Sequence, residues 1–269
     1  MVGELDNHIN KKKNKKGKNK KKRNRLVKLF PILFLIILAI VLIGVSGVAK
    51  VKKIEIKSNG NNVSIAEIKS LSGLSENMNM FEFRLSTIEE LIKINSYIES
   101  VQVKRHFNGT VSIEVTERKP IYRINYAGGY ILIDSGGYVL EIISDEIDLP
   151  VLLGTSTDFS SLTVGSSENK VNRLNEEDLE KIKKANSIIE ISKNNNIGNL
   201  ISRIDISDDK NYVVYLDSEL KIVYLGDCSE LNTRILCMKE IVNEESGIKG
   251  EIFIDGDLNI NPPRFRESV

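Results

Sequence analysis

The chain has 269 residues, with 38 Lys and Arg against 37 Asp and Glu, two histidines, two cysteines and no tryptophan. The near-neutral balance hides an asymmetry, because 12 of the basic and only 2 of the acidic residues lie in residues 1–28, leaving the remainder net negative. Beyond that basic start there is one histidine, His106, which excludes any site built from two histidines and with it the usual zinc peptidases.

Lys11 to Arg25 is almost entirely Lys, Arg, Asn and Gly, a composition that cannot bury a core, so residues 1–28 are expected to be a disordered basic tail. Leu29 to Ala49 follows as an uncharged apolar run without a polar stripe. At about 1.5 Å per residue it would span roughly 31 Å, close to the hydrocarbon thickness of a bilayer. We read 29–49 as a single transmembrane helix. The excess of Lys and Arg before it orients the amino terminus to the cytoplasm and the rest outside. A cleaved secretory signal is the rival, with small residues at Ser46 to Ala49, but its apolar region would exceed the usual length of about 7–15 residues. The tail's charge also suits nucleic acid or anionic lipid, yet its topological role already explains it, and no nucleic-acid partner is expected.

Val51 to Ser58 alternates apolar and charged residues as a half-buried strand does. Ser64 with Glu67, and Ser86 with Glu89, have the spacing of capping boxes ahead of two short helices; Gly73 stops the first and Asn95 ends the second. Ile98 to Phe107 and Thr110 to Glu117 both alternate and meet at Asn108-Gly109, a strong hairpin signal. The predicted order over 50–118 is strand, helix, helix, strand, strand.

That order resembles the POTRA domain of the bacterial cell-division family FtsQ, also called DivIB. The resemblance is carried by Val101-Gln102-Val103-Lys104-Arg105, by Thr110-Val111-Ser112-Ile113-Glu114-Val115 and by Glu117-Arg118-Lys119-Pro120. It continues through Tyr130 to Leu140, the Leu149-Pro150-Val151-Leu152-Leu153-Gly154 turn, Leu200 to Ser207, Tyr224-Leu225-Gly226 and Gly250 to Asp255. One departure is Phe107-Asn108, where the family commonly has an aromatic residue followed by Pro. The resemblance implies a non-enzymatic scaffold of the division septum, with no cofactor. Its late helix and last strands would hold two membrane-anchored coiled-coil partners, of FtsB/DivIC and FtsL type, outside the membrane.

From 119 to 255 the pattern predicts a mostly antiparallel β domain with two helices, so the fold class is α+β. Ile121 to Tyr126, Tyr130 to Ile133 and Tyr138 to Ile142 read as a meander, with strands rather than a helix after Gly128-Gly129 and Gly136-Gly137, against a phosphate cradle. Leu174 to Ile191 and Ser229 to Val242 have helical spacing, and Glu176, Glu177, Asp178 and Glu180 suit the positive end of the first. Strands are expected at Ile201 to Ile206, Tyr212 to Leu216 and Lys221 to Leu225. The strand Glu251-Ile252-Phe253-Ile254-Asp255 comes last, which makes it the expected free edge and partner-binding site. Residues 256–269, with Pro262 and Pro263, read as a tail.

Catalytic patterns are weak. Ser-x-x-Lys occurs at Ser167, Ser218 and Ser246 without a Lys-Thr-Gly, and a pairing of His106 with Cys228 or Cys237 would need a histidine that ends a strand. Acidic pairs such as Glu89-Glu90 and Asp208-Asp209 read as solvated faces. The two cysteines are expected to be free thiols, with Cys237 on an apolar helix side. No catalytic, metal or cofactor residues are predicted. The alternative function is an extracytoplasmic cell-wall or sporulation enzyme on the same anchor; an outer-membrane translocation protein would need a large barrel after these domains.

Overall fold

The computed structural model describes residues 30–39, 41, 49–160 and 173–268. The basic tail and Ser167-x-x-Lys170 lie outside them. Of the apolar run, residues 30–39 and 41 are helical and exposed, and among the described residues no helix is long and apolar enough to cross a membrane.

The first folded unit contains β1 (Lys53–Ser58), α1 (Ile65–Ser72), α2 (Leu85–Ile92), β2 (Ile98–Arg105) and β3 (Thr110–Glu117), with its three strands ordered β1-β3-β2. β1 runs parallel to β3, and β2 and β3 form the predicted hairpin. Gly109 takes φ 92° in that turn, where a side chain would be strained. The α1 cap forms as expected, since Ser64 Oγ accepts the Glu67 N–H at 3.1 Å and Gly73 closes the helix in the left-handed region. The second capping box does not form. Helix α2 starts at Leu85 with Arg84 at its cap, and the Glu89 carboxylate instead accepts the Val103 N–H of β2 at 2.9 Å. A tertiary donor has replaced the local one. Ile68, Ile88 and Ile92 pack on Val101, Val103, Val111, Ile113 and Val115 as a core of their own.

Among the described residues the second unit is a nine-stranded sheet. Its strands are β4 (Tyr122–Tyr126), β5 (Gly129–Ile133), β6 (Val139–Ile143), β7 (Val151–Leu153), β8 (Arg203–Asp205), β9 (Val213–Leu216), β10 (Lys221–Tyr224), β11 (Gly250–Phe253) and β12 (Arg264–Glu267), in the order β12-β11-β10-β9-β8-β7-β4-β5-β6. Five of its eight pairings are antiparallel. Helices α3 (Glu176–Asn194) and α4 (Leu231–Glu244) cover one face, where Leu179, Ile182, Ile188, Ile235, Met238 and Val242 meet Ile204, Val214, Val223 and Ile252. Sequence reasoning missed β7, taken as part of a turn, although its parallel pairing to both β4 and β8 joins the two halves of the sheet.

A larger correction concerns the end of the chain. Glu251 to Asp255 is not the free edge. Residues expected to form a tail supply β12, which pairs antiparallel to β11 from Gly250↔Glu267 to Phe253↔Arg264. Both cysteines are free and half-buried, and burial raises the Cys228 thiol to about 11.

Candidate partner-binding edge

A sheet with two edges offers two places for a partner strand. At the β6 edge, Ser96 Oγ donates to the Leu140 carbonyl and Tyr97 OH donates to Glu141 Oε2 at 2.9 Å, so the first domain abuts it. The joint is reinforced by Arg118, whose Nη1 is 2.7 Å from Asp134 Oδ2 and whose guanidinium stands 3.8 Å from the Tyr138 ring centroid. Among the described residues, β12 has no strand beyond it.

Backbone polarity at β12 follows from the ladder. Ser268 N–H donates to Lys249 O at 2.9 Å, so in the antiparallel register Arg266 and Arg264 also turn their N–H and C=O groups towards β11. Phe265 and Glu267 therefore aim theirs outward. The strand β11 has no free side: Gly250 N–H reaches Leu220 O at 3.1 Å and Ile254 N–H reaches Tyr224 O at 2.9 Å on the β10 side, while its alternate residues serve β12.

Side chains alternate across this end of the sheet. Ile252 and Ile254 are buried in the core, whereas Glu251 and Phe253 are half-buried on the face opposite the helices. The Phe253 ring stacks on Tyr224 with centroids 4.9 Å apart, and Arg264 and Arg266 stand 5.2 and 4.8 Å from its centroid. Glu251 accepts hydrogen bonds from the Arg266 guanidinium and, at 3.1 Å, from Tyr224 OH. The Arg266 hydrogen bond is the main reason its carboxyl is held below the ordinary glutamate value. Ile222, Val213 and Tyr215 continue the half-buried face, with Arg203 4.2 Å from the Tyr215 centroid.

Three devices hold the edge in place. Phe265 lies over Gly250, where any Cβ would stand 2.3 Å from its ring. The buried Lys221 amine donates to the carbonyls of Glu219, Glu245 and Ile248 at 2.8–3.1 Å, fixing the segment that leads into β11. Arg234, on α4, donates to Ser229 O at 2.6 Å and Gly256 O at 3.0 Å, tying down the start of the β11–β12 loop. The sequence signal for β12 was the alternation Arg264-Phe265-Arg266-Glu267.

His106 is exposed, with Nε2 2.8 Å from Ser112 Oγ, and among the described residues no group of three or more His, Cys, Asp or Glu could hold a metal ion.

A βααββ unit joined to a helix-backed sheet, whose β12 edge has no strand beyond it among the described residues, defines the class, a POTRA unit followed by a β domain. Residues 49–118 match the POTRA domain, FtsQ-type. The chain is 37% identical over 92 residues to "Cell division protein FtsQ" of Geotalea daltonii, covering 34% of this chain and 33% of the relative. It is 34% identical over 87 residues to "Cell division protein DivIB" of Clostridium tetani, covering 32% of each. A longer alignment, 26% identical over 179 residues, joins it to "Cell division protein DivIB" of Clostridium botulinum and covers 66% of this chain and 64% of the relative. The first domain is thus of FtsQ type, and the chain is similar to proteins of the FtsQ/DivIB family. It spans about a third of the length of the first curated relatives it matches.

Proposed function

We propose that the chain is a membrane-anchored, non-enzymatic scaffold of septal cell division, whose β domain holds membrane-anchored partners of FtsB/DivIC and FtsL type by strand addition to β12. In this reading Leu29–Ala49 crosses the membrane, the basic tail is cytoplasmic and both domains stand outside, enriched at the septum. The observation that carries it is the free edge of β12, following a POTRA unit of FtsQ type. An edge strand offers unpaired backbone groups for affinity, and flanking side chains supply selectivity. Of the segment Glu251 to Asp255, Glu251 and Phe253 serve the docking face, while Ile252 and Ile254 support it from the core.

Proline separates the edge from its neighbours. Glu267→Pro removes an outward N–H and leaves the bonds to β11 intact, a position where edge strands tolerate Pro. Binding of the variant to the membrane-anchored coiled-coil partners is expected to fall at least tenfold with the melting temperature unchanged. Undiminished binding by the folded variant overturns the edge reading. Phe253→Glu tests the face in the same assay and is also expected to weaken binding.

A further inference from the structure

The first domain takes up the chain at Ala49 itself. Ala49, the last residue of the apolar run, is already 3% exposed, and its carbonyl accepts the Met80 N–H at 2.7 Å. Lys50 forms a bridge with Asn79, Val51 N–H donates to Met78 O at 2.8 Å, and Lys52 N–H donates to Gly109 O at 2.8 Å. The chain thus enters the domain between two loops, one ending at Phe81 and the other at the Phe107-Asn108-Gly109 hairpin tip. Phe81 follows Met80 directly, so its Cα is within about 3.8 Å of a residue bonded to the end of the apolar run. Both rings are bare: Phe81 is 70% exposed and Phe107 fully so. Exposed Lys50 and Lys52 lie between them, Arg84 is nearby in sequence, and Glu76 and Glu82 are the acidic residues on the Phe81 loop.

Neither aromatic contributes to the domain's core, and the inward-facing Phe83 is already engaged by Arg105, 4.8 Å from its centroid. Two bare aromatic rings beside lysines, at the point where an apolar helix would leave the bilayer, have the composition of an interfacial anchor: rings at the acyl boundary and ammonium groups at the phosphates. We propose that this end of the POTRA unit rests on the outer surface of the membrane, with Phe81 and Phe107 inserted at headgroup level and Lys50 and Lys52 against phospholipid phosphates. The inference rests on reading Leu29–Ala49 as the membrane anchor. It makes the domain a foot rather than a free pendant.

The absence of tryptophan makes the test clean, because one introduced indole is the sole reporter. Phe107→Trp, Phe81→Trp, Phe253→Trp and Leu38→Trp are each made in the full chain and reconstituted into phosphatidylglycerol-containing vesicles with lipids brominated either near the headgroup or deep in the acyl chain. The indoles at 107 and 81 are expected to emit to the blue of the one at 253 and to be quenched at least twofold by the shallow bromines. The indole at 253 stays unquenched, and the one at 38 responds to the deep bromines. Quenching at 38 with none at 107 and 81 overturns the foot and leaves the anchor standing. No quenching at 38 overturns the anchor, and the foot with it.

Discussion

Gly250→Ala asks whether β12 can be released without disturbing the rest of the sheet. Gly250 does not take a left-handed conformation, so alanine is acceptable to its backbone and the cost arises from the added carbon alone. That carbon would stand 2.3 and 2.4 Å from Phe265 Cε2 and Cζ and 2.6 Å from the Arg266 carbonyl oxygen. The ring can swing away. The carbonyl can move only with the strand, and Arg266 is the residue paired with Glu251. Overpacking of this kind costs about 1–3 kcal/mol. The side-chain contacts retaining β12 are of similar size: half the burial of a phenylalanine contributes about 1 kcal/mol, an exposed ion pair about 0–1 kcal/mol, and two exposed cation–π contacts about 0.5–1 kcal/mol each. The strand should therefore undock locally instead of straining the sheet.

Hydrogen exchange of the full chain in detergent micelles reads this directly. The amides of Arg264, Arg266 and Ser268 are expected to exchange about tenfold faster in Gly250→Ala, the factor corresponding to about 1.4 kcal/mol. Amides of β9 and β10 should keep their protection, and partner binding should weaken in parallel. Unchanged exchange at Arg264 and Arg266 refutes the steric argument. Protection lost throughout β9 and β10 refutes the claim that β12 is a separable element.

Asp178, fully buried at the start of α3, accepts from the Ser156 and Thr157 N–H groups and from Thr157 Oγ1 at 2.5–2.9 Å; Asp178→Ala strands these donors and should lower stability by about 2–4 kcal/mol in urea melts, with Asp178→Asn losing less. Lys221→Met removes the amine shared by three carbonyls and should cost about 2–3 kcal/mol, seen as a lower urea midpoint. A double-mutant cycle of Arg118→Ala and Asp134→Ala should give a coupling of about 1–3 kcal/mol, since both side chains are mostly buried, and coupling near zero would mean that the joint is held elsewhere. The lowered Glu251 carboxyl contributes stability above the ordinary glutamate value, and that contribution is lost as pH falls through the lowered one. Exchange protection of β12 relative to β10 should therefore decline as pH falls below the ordinary glutamate value, and the decline should vanish in Glu251→Gln.

The first domain was legible because its signals are local. A Ser-x-x-Glu cap, a stopping glycine, an Asn-Gly turn and period-two alternation each act within a few residues, and together they specify the βααββ order. The second capping box misled because Glu89 found a partner in Val103, across the fold. At three residues β7 is too short to show a period, and its parallel neighbours lie far away in the chain. β12 was hidden by its own composition: after Pro262-Pro263, three charged residues out of four look solvated, and only Phe265, fitted over a glycine, is apolar. Glu117 has the same origin in tertiary structure, as a 4% exposed carboxylate that accepts from Ser58 Oγ at 2.5 Å and the Asn62 N–H at 2.8 Å.

The two ends of the large sheet have different fates for a physical reason. β6 meets the first domain through Ser96 and Tyr97, and the Arg118–Asp134 pair with Tyr138 beneath it braces that meeting. Rotation of one domain against the other would expose a mostly buried ion pair and strip a cation from an aromatic face, so the joint favours one orientation. From β6 to β12 there are eight strand spacings of about 4.8 Å, roughly 38 Å along the sheet. If the POTRA foot stands on the membrane, the braced joint holds the docking edge at a defined place relative to it instead of letting it sweep a volume. A partner anchored in the same membrane then meets that edge at a higher effective concentration than a loosely hinged domain would present. On this argument, breaking Arg118–Asp134 should weaken binding to membrane-anchored partners more than binding to their soluble segments, and equal losses for both would show that the joint does not set the geometry.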